Sequence, residues 1–471
     1  MMPLWSATEA AAATGGEAFG NWQAAGVSID SRSLVAGDLF VALVGPNFDG
    51  HSFVAAALQK GAAAALVAKR PEGLDASAPL LVVGDTQRAL EDLGRASRAR
   101  TQGRMLAVTG SVGKTGTKEA LRLALERQGR AFASSGSLNN QWGVPLSLAR
   151  MPRESSFGVF ELGMNHPGEI EGLSRLVRPE VAIITTVEPA HLGFFPSVDA
   201  IADAKAEIFI GTEPGGAAIL NRDNPHYERL AAAARARRIT RILSFGAHEA
   251  ASVRLIDCHL HATASAVTAA VMGEAIDYSV ALPGRHWVMN SLAVLAAVKA
   301  VGGDIGAAAG AMATLPALEG RGRRHRVAIR GGAIELIDES YNASPASMRA
   351  ALAVLGAIAP ETGGRRIAVL GSMLELGDQS KKLHAALSKP LIEADIDLVF
   401  TLGEEMRALD TALPAKRRGG HAETIAALVD LLADRLRPND VVTVKGSHGS
   451  RLYELVAKLV SAQAPAFAAK D

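Results

Sequence analysis

The chain has 471 residues, 48% of them hydrophobic, with 49 basic against 48 acidic side chains. That length suggests about three domains with sizeable cores, and a net charge of +1 gives no reason to expect nucleic acid or an anionic membrane as partner. The single cysteine, Cys258, excludes an internal disulfide framework and fits a reducing compartment.

The opening residues Met-Met-Pro-Leu-Trp-Ser have no basic stretch ahead of an apolar run, so no signal peptide is expected. Alanine-rich stretches such as 55–68 are interrupted by Gln59, Lys60 and Gly61, and are too short to span a bilayer. The expectation is a cytoplasmic monomer with no membrane and no nucleic acid as partner. Residues 1–100 alternate short elements: strands over 38–44, 64–68 and 80–83, a helix over 52–61, and a helix over 87–104 that leads onward. Residues 101–316 hold strand-like runs at 105–108, 158–161, 181–187 and 217–220, and close on a helix over 289–301. Residues 317–471 repeat that logic, with strands over 334–338, 366–370, 398–402 and 441–445. This order predicts an α/β fold of three domains with a mostly parallel central sheet. The stretch 317–324, rich in glycine and arginine, is the candidate hinge.

Thr109-Gly-Ser-Val-Gly-Lys-Thr115 reads as a phosphate loop between the strand at 105–108 and a helix over 118–128. Gly110, Ser111, Val112, Gly113 and Gly116 let backbone N–H groups converge on phosphate oxygens, and the helix N-terminus adds its positive end. Lys114 would reach the β- and γ-phosphates, and the Thr115 hydroxyl would bind Mg²⁺. Val108 stands where the general pattern has its outer glycine, and a Gly-Lys-Thr in an ordinary turn is the plain alternative. Two strand ends add to the picture, because open α/β sheets bind ligands beyond the carboxyl ends of their strands. Glu161 ends one strand and His191 follows another by a short loop. Singly they read equally well as a surface carboxylate and a structural histidine. Beside a phosphate loop they suit a hard cation with oxygen ligands, Glu161 better than His191.

Together these motifs resemble the Mur ligases, ATP-dependent amide-bond ligases of peptidoglycan precursor synthesis. The resemblance runs over most of the chain. It covers the loop at 109–115, Asn139-Asn140-Gln-Trp-Gly-Val-Pro-Leu146, Glu161-Leu-Gly-Met-Asn165, Pro189-Ala-His191-Leu192, Ala204-Lys205-Ala-Glu207 and Pro283-Gly-Arg-His286 with Asn290. Asp338-Glu-Ser-Tyr341-Asn342-Ala-Ser-Pro345, Leu370-Gly-Ser-Met-Leu-Glu-Leu-Gly377 and Val444-Lys445-Gly-Ser447 are similar to the signatures of the member that adds D-alanyl-D-alanine. Trp287 and Ser372 depart from the family pattern, which often has Asn and Asp there.

The resemblance implies a central domain over 101–316 of the P-loop ATPase kind that binds ATP. It also implies a Rossmann-like domain over 317–471 for the incoming D-alanyl-D-alanine, and a smaller N-terminal domain over 1–100 for a UDP-N-acetylmuramoyl-tripeptide. An amine cannot displace oxide from a carboxylate, so ATP would first convert the tripeptide carboxylate to an acyl phosphate, which the amine then attacks. In the implied site Lys114 and bound cations stabilise the phosphoryl oxygens. Thr115, Glu161, His191 and Lys205 serve Mg²⁺, with Lys205 as a carbamate. Asn139 and Asn140 orient the reacting end, Asn290 reads adenine, Asp338 contacts the nucleotide, and Arg321 or Arg323 reaches the phosphates, spacing favouring Arg323. Asp30-Ser31-Arg32 and Phe48-Asp49-Gly-His51 would meet the UDP-sugar, with Tyr341, Asn342, Lys445, Ser447 and Arg451 toward the second substrate. Two alternatives stand beside this: a folylpolyglutamate synthase-like ligase of the same superfamily, and a P-loop ATPase acting as a switch.

Overall fold

The computed structural model describes residues 3–461; the outermost parts of the predicted first and third domains, 1–2 and 462–471, lie outside them. Among the described residues, three large sheets follow one another along the chain. The first has five strands in the order Glu17–Phe19, Leu80–Val82, Ala64–Val67, Asp38–Val41 and Gly26–Ser28, parallel except at the first pair. Their apolar runs are buried on both faces, as parallel strands covered by helices must be. The predicted helix over 52–61 forms as a 3-10 turn at Gly50–Phe53 followed by a short α-helix, Val54–Gln59.

The central sheet has nine strands, beginning Ala131–Ala133, Phe157–Glu161, Arg104–Thr109, Val181–Ile184, Ala217–Asn221 and Arg241–Gly246, all parallel. It continues into an antiparallel extension, Val253–Leu260, Ser265–Val271 and Glu274–Val280, that the sequence reading did not anticipate. The strand Arg104–Thr109 lies between Phe157–Glu161 and Val181–Ile184, so the direction of winding reverses beside it. In an open α/β sheet that reversal opens a crevice at the carboxyl ends. The helix after this strand is Lys114–Glu126, four residues earlier than periodicity predicts, because Gly113 takes a left-handed φ of 87° and turns the chain straight into it. The strand expected over 181–187 ends at Ile184: from there the chain bends to the phosphate loop, where Thr185 Oγ1 donates to the Val112 carbonyl at 2.6 Å.

The third sheet has six strands, Arg323–Ile329, Gly332–Glu339, Val441–Lys445, Arg366–Gly371, Leu398–Leu402 and Arg418–Ala422, parallel apart from the opening hairpin. Of the predicted connector 317–324, Arg323 and Arg324 already belong to this hairpin, and only the turn around Leu318–Gly322 joins the two sheets. No helix among the described residues is long and apolar enough to cross a membrane.

Candidate active site

At the carboxyl end of Arg104–Thr109 the phosphate loop is held from behind by the segment after Val181–Ile184. Ser111 Oγ donates to the Glu188 carbonyl at 2.9 Å, and the Glu188 N–H returns a bond to Ser111 Oγ at 3.0 Å. Glycine is required where the loop is most crowded. A Cβ at Gly110 would lie 1.9 Å from Thr185 Oγ1, and one at Gly113 would lie 2.8 Å from Asn290 Oδ1. Asn290 and Trp287 thus reach the loop from the helix Arg285–Ala300, with Trp287 against Gly116.

Glu161 is the hub. It is 1% exposed, and Thr115 Oγ1 donates to its Oε2 while Asn139 Nδ2 donates to its Oε1, each at 2.7 Å. Asn139 is fixed in turn by the Gly163 N–H, which donates to its carbonyl at 2.8 Å. Asn140 faces elsewhere: its Oδ1 accepts the Trp142 N–H at 3.2 Å and the Gly143 N–H at 2.9 Å at the start of the helix Gly143–Arg150.

Around this hub the positive charge is unbalanced. Lys114 Nζ donates only to the Gly110 carbonyl, at 2.8 Å. Burial pulls its pKa down, the Glu161 carboxylate opposes that, and the Arg321 guanidinium adds to it. Lys205, in the last turn of Val198–Ala206, is buried, and burial followed by the nearby Lys114 charge holds its amine well below the ordinary 10.5. Among the described residues neither lysine has a carboxylate within ion-pair distance. An ammonium at half-buried Lys114 with no carboxylate paired to it is costly unless an anion joins it, so the residues fit a polyphosphate. They also fit Mg²⁺ that keeps water and borrows phosphate oxygens, since the protein offers a hydroxyl and a carboxylate there rather than a full cage. No cluster of three or more His, Cys, Asp or Glu suited to a metal forms among the described residues.

The third sheet reaches the same place. The Tyr341 hydroxyl meets the Ser137 hydroxyl, and the Arg321 guanidinium lies 4.3 Å from the Tyr341 ring centre. The connector arginine felt at Lys114 is therefore Arg321. Spacing favoured Arg323, but it is exposed, paired in register with Asp338 on the hairpin. Asp338 is buried and internal: it accepts the Gly320 N–H at 3.0 Å and the Ser340 N–H and hydroxyl, bracing the turn between the sheets. His191 also faces this side, its Nδ1 2.5 Å from Glu375 Oε2, a bond that draws the Glu375 carboxyl below its usual range.

Other candidates are committed locally. Lys445 Nζ bonds Glu339 at 3.1 Å and the Asn342 carbonyl at 3.0 Å, Ser447 Oγ accepts the Leu374 N–H, and Arg451 pairs with Glu454 at the surface. Asn342 Oδ1 accepts the Ala343 N–H at 2.8 Å. In the first domain, Arg32 is exposed and paired with Asp30, with Ser31 beside it offering its carbonyl to Lys60. The His51 ring is spent on Asp49, at 2.6 Å, and on the Ala68 N–H, at 2.9 Å. One residue that sequence reasoning passed over is Lys118, four positions after Lys114. It is fully buried and donates to the carbonyls of Ser134 and Gly136, tying the loop that carries Ser137 and Asn139 to the phosphate-loop helix. Its spacing on the buried face of that helix was the available signal.

Three family models match the chain in order: Mur ligase family, catalytic domain, over residues 23–98; Mur ligase middle domain, over 108–298; and Mur ligase, glutamate ligase domain, over 322–448. The chain is 36% identical over 435 residues to the UDP-N-acetylmuramoyl-tripeptide–D-alanyl-D-alanine ligase of Escherichia coli (strain K12), covering 92% of this chain and 93% of that protein. Its structure is similar to a crystal structure of MurF from Acinetobacter baumannii, with 31% identity and a TM-score of 0.83 over 97% of this chain and 99% of the other. It is also similar to MurF ligase from Thermotoga maritima in complex with ADP, with 26% identity and a TM-score of 0.76 over 93% and 98%.

Proposed function

The chain belongs to the Mur ligase family, and from that premise we propose that it uses ATP to join D-alanyl-D-alanine to a UDP-N-acetylmuramoyl-tripeptide in peptidoglycan precursor synthesis. ADP and phosphate are the other products. One arrangement supports the reading above all: beside the phosphate loop Lys114 lies within the field of the buried Glu161 carboxylate, and the charge of Arg321 from the connector and that of Lys205 from the helix Val198–Ala206 meet it there.

The tripeptide carboxylate attacks the γ-phosphorus of ATP, the bond to ADP breaks, and an acyl phosphate forms. The amine of D-alanyl-D-alanine then attacks the carbonyl carbon, and phosphate leaves with one former carboxylate oxygen. Lys114 and the loop N–H groups would bind the β- and γ-phosphoryl oxygens, where charge builds in the transition state. Thr115 and Glu161 would hold Mg²⁺ with His191, and the ion when bound supplies positive charge to those oxygens. Lys205 would serve as its carbamate, which needs the neutral amine that its depressed pKa favours. Asn139 would keep Glu161 aimed, and Arg321 would reach the nucleotide when the third domain is docked. The first domain would carry the UDP-sugar through Ser31, Arg32 and Asp49, and Asn290 would lie toward the base. The expected compartment is the cytoplasm and the expected state a monomer.

The direct test is ADP release with UDP-N-acetylmuramoyl-tripeptide and D-alanyl-D-alanine together and separately. Release that needs both supports the proposal. Release with neither present, or with folate and glutamate in their place, contradicts it.

A further inference from the structure

The loop after His191 and the loop around Glu375 meet at three places, although they belong to different sheets. His191 Nδ1 lies 2.5 Å from Glu375 Oε2, and the Gly193 N–H donates to the Glu375 carbonyl at 2.9 Å. Gly377 packs so closely that a Cβ there would lie 3.1 Å from the Gly193 Cα. Both residues of the side-chain pair are non-glycine with left-handed backbones, φ 58° at His191 and 64° at Glu375. Such backbones are unfavourable for side chains with a Cβ and persist where surrounding contacts hold them.

An ionised carboxylate can only accept, so the Nδ1 facing Glu375 carries the proton and Nε2 is left with its lone pair. A histidine held by a carboxylate behind it is fixed in tautomer and ring orientation. We propose that Glu375 is a positioning residue lent by the third domain to the central site: it locks His191 with Nε2 as the ring nitrogen able to ligate, so the site is complete only when the two loops are docked. This rests on His191 serving the metal, as proposed above. It assigns to the third domain a role in catalysis separate from binding D-alanyl-D-alanine.

The test uses the full chain with Glu375→Ala and Glu375→Gln. Glu375→Ala lowers kcat by about 10–100-fold and leaves the KM for UDP-N-acetylmuramoyl-tripeptide within about two-fold. Glu375→Gln, which still accepts from Nδ1, recovers part of the loss. In the ligand-free protein the Gly193 amide, which is bonded to the Glu375 backbone, exchanges about ten-fold faster in Glu375→Ala than in the wild type. Adding Glu375→Ala to His191→Ala changes that exchange no further. Unchanged Gly193 exchange, or a Glu375→Ala enzyme with wild-type kcat, overturns the proposal. If Glu375→Ala does not fold, Glu375→Gln carries both readouts with smaller shifts of the same sign, and no shift in either overturns the proposal. If instead the wild-type chain releases no ADP with both substrates, the ligase reading fails, while the exchange measurement still decides whether Glu375 holds the loop.

Discussion

Two seams join the three sheets, and they are built differently. Between the first and central sheets a continuous apolar core passes from Trp5, Ala10, Leu90 and Leu93 to Leu146 and Ala149. It is tied at its margin by Trp5 Nε1 donating to the Ala149 carbonyl at 2.9 Å, Arg150 donating to the Val27 carbonyl, and Arg153 paired with Glu9. Between the central and third sheets the contacts are mainly polar and separate: Ser137 with Tyr341, His191 with Glu375, Arg349 with Glu188, and Arg324 with the Ala262 carbonyl, the apolar contact being small, with Ala262 packed on the third core. Large apolar interfaces hold domains as one body, whereas small polar ones let them part. From this contrast we propose that the first two domains form one platform, onto which the third docks about the turn at Leu318–Gly322. The proposed nucleotide site lies at this polar seam, where docking of the third domain would shut water away from a reactive acyl phosphate.

The largest expected effect strikes the apolar seam. Trp5→Ala removes a side chain that is 1% exposed and costs about 3–5 kcal/mol in urea unfolding, while the protein that remains folded keeps its KM for ATP. A cost below about 1 kcal/mol would show that the platform is not fused there. Next comes Lys114→Ala, which reduces turnover by about 10²–10³-fold with an unchanged urea midpoint, separating chemistry from the platform's stability. Near-normal amide formation by that variant breaks the assignment of the loop.

Lys205→Ala follows, with turnover down about 100-fold and partly restored by acetate or formate in the position of the carbamate. Its charge also gives a pH signature. Burial and Lys114 depress the folded amine below 10.5, so between the two values the unfolded chain binds more protons than the folded one. Ligand-free protein then gains stability as pH rises through that window, and Lys205→Met flattens the slope. A wild-type slope in Lys205→Met contradicts this origin. The smallest effect is Tyr341→Phe, which removes one hydroxyl from the polar seam and costs about 1 kcal/mol, seen as a higher KM for ATP with global stability intact.

Much of the fold was legible because buried parallel strands are short continuous apolar runs. Leu398–Leu402 and Val441–Lys445 fall where the sequence put them, and the strand before the phosphate loop is one residue longer at each end. The antiparallel extension was not legible, since Val253–Leu260 and Glu274–Val280 are half exposed and mix polar with apolar residues. Spacing favoured Arg323, but Gly322 has a φ of 92° and redirects the chain, and it is the Arg321 charge that is felt at Lys114. Lys118 escaped notice since a lysine on a helix ordinarily reads as solvated. Glu375 sat inside a recognised motif, yet its partner lies 184 positions away, a proximity that only folding supplies.

The central claim is that phosphate leaves with an oxygen taken from the tripeptide, and isotope transfer tests it directly. With both oxygens of the terminal tripeptide carboxylate labelled as ¹⁸O, turnover with ATP and D-alanyl-D-alanine is predicted to place one ¹⁸O in each inorganic phosphate released, read by mass spectrometry, with the other kept in the new amide carbonyl. Phosphate free of label, released alongside amide product or without it, would contradict an acyl phosphate route.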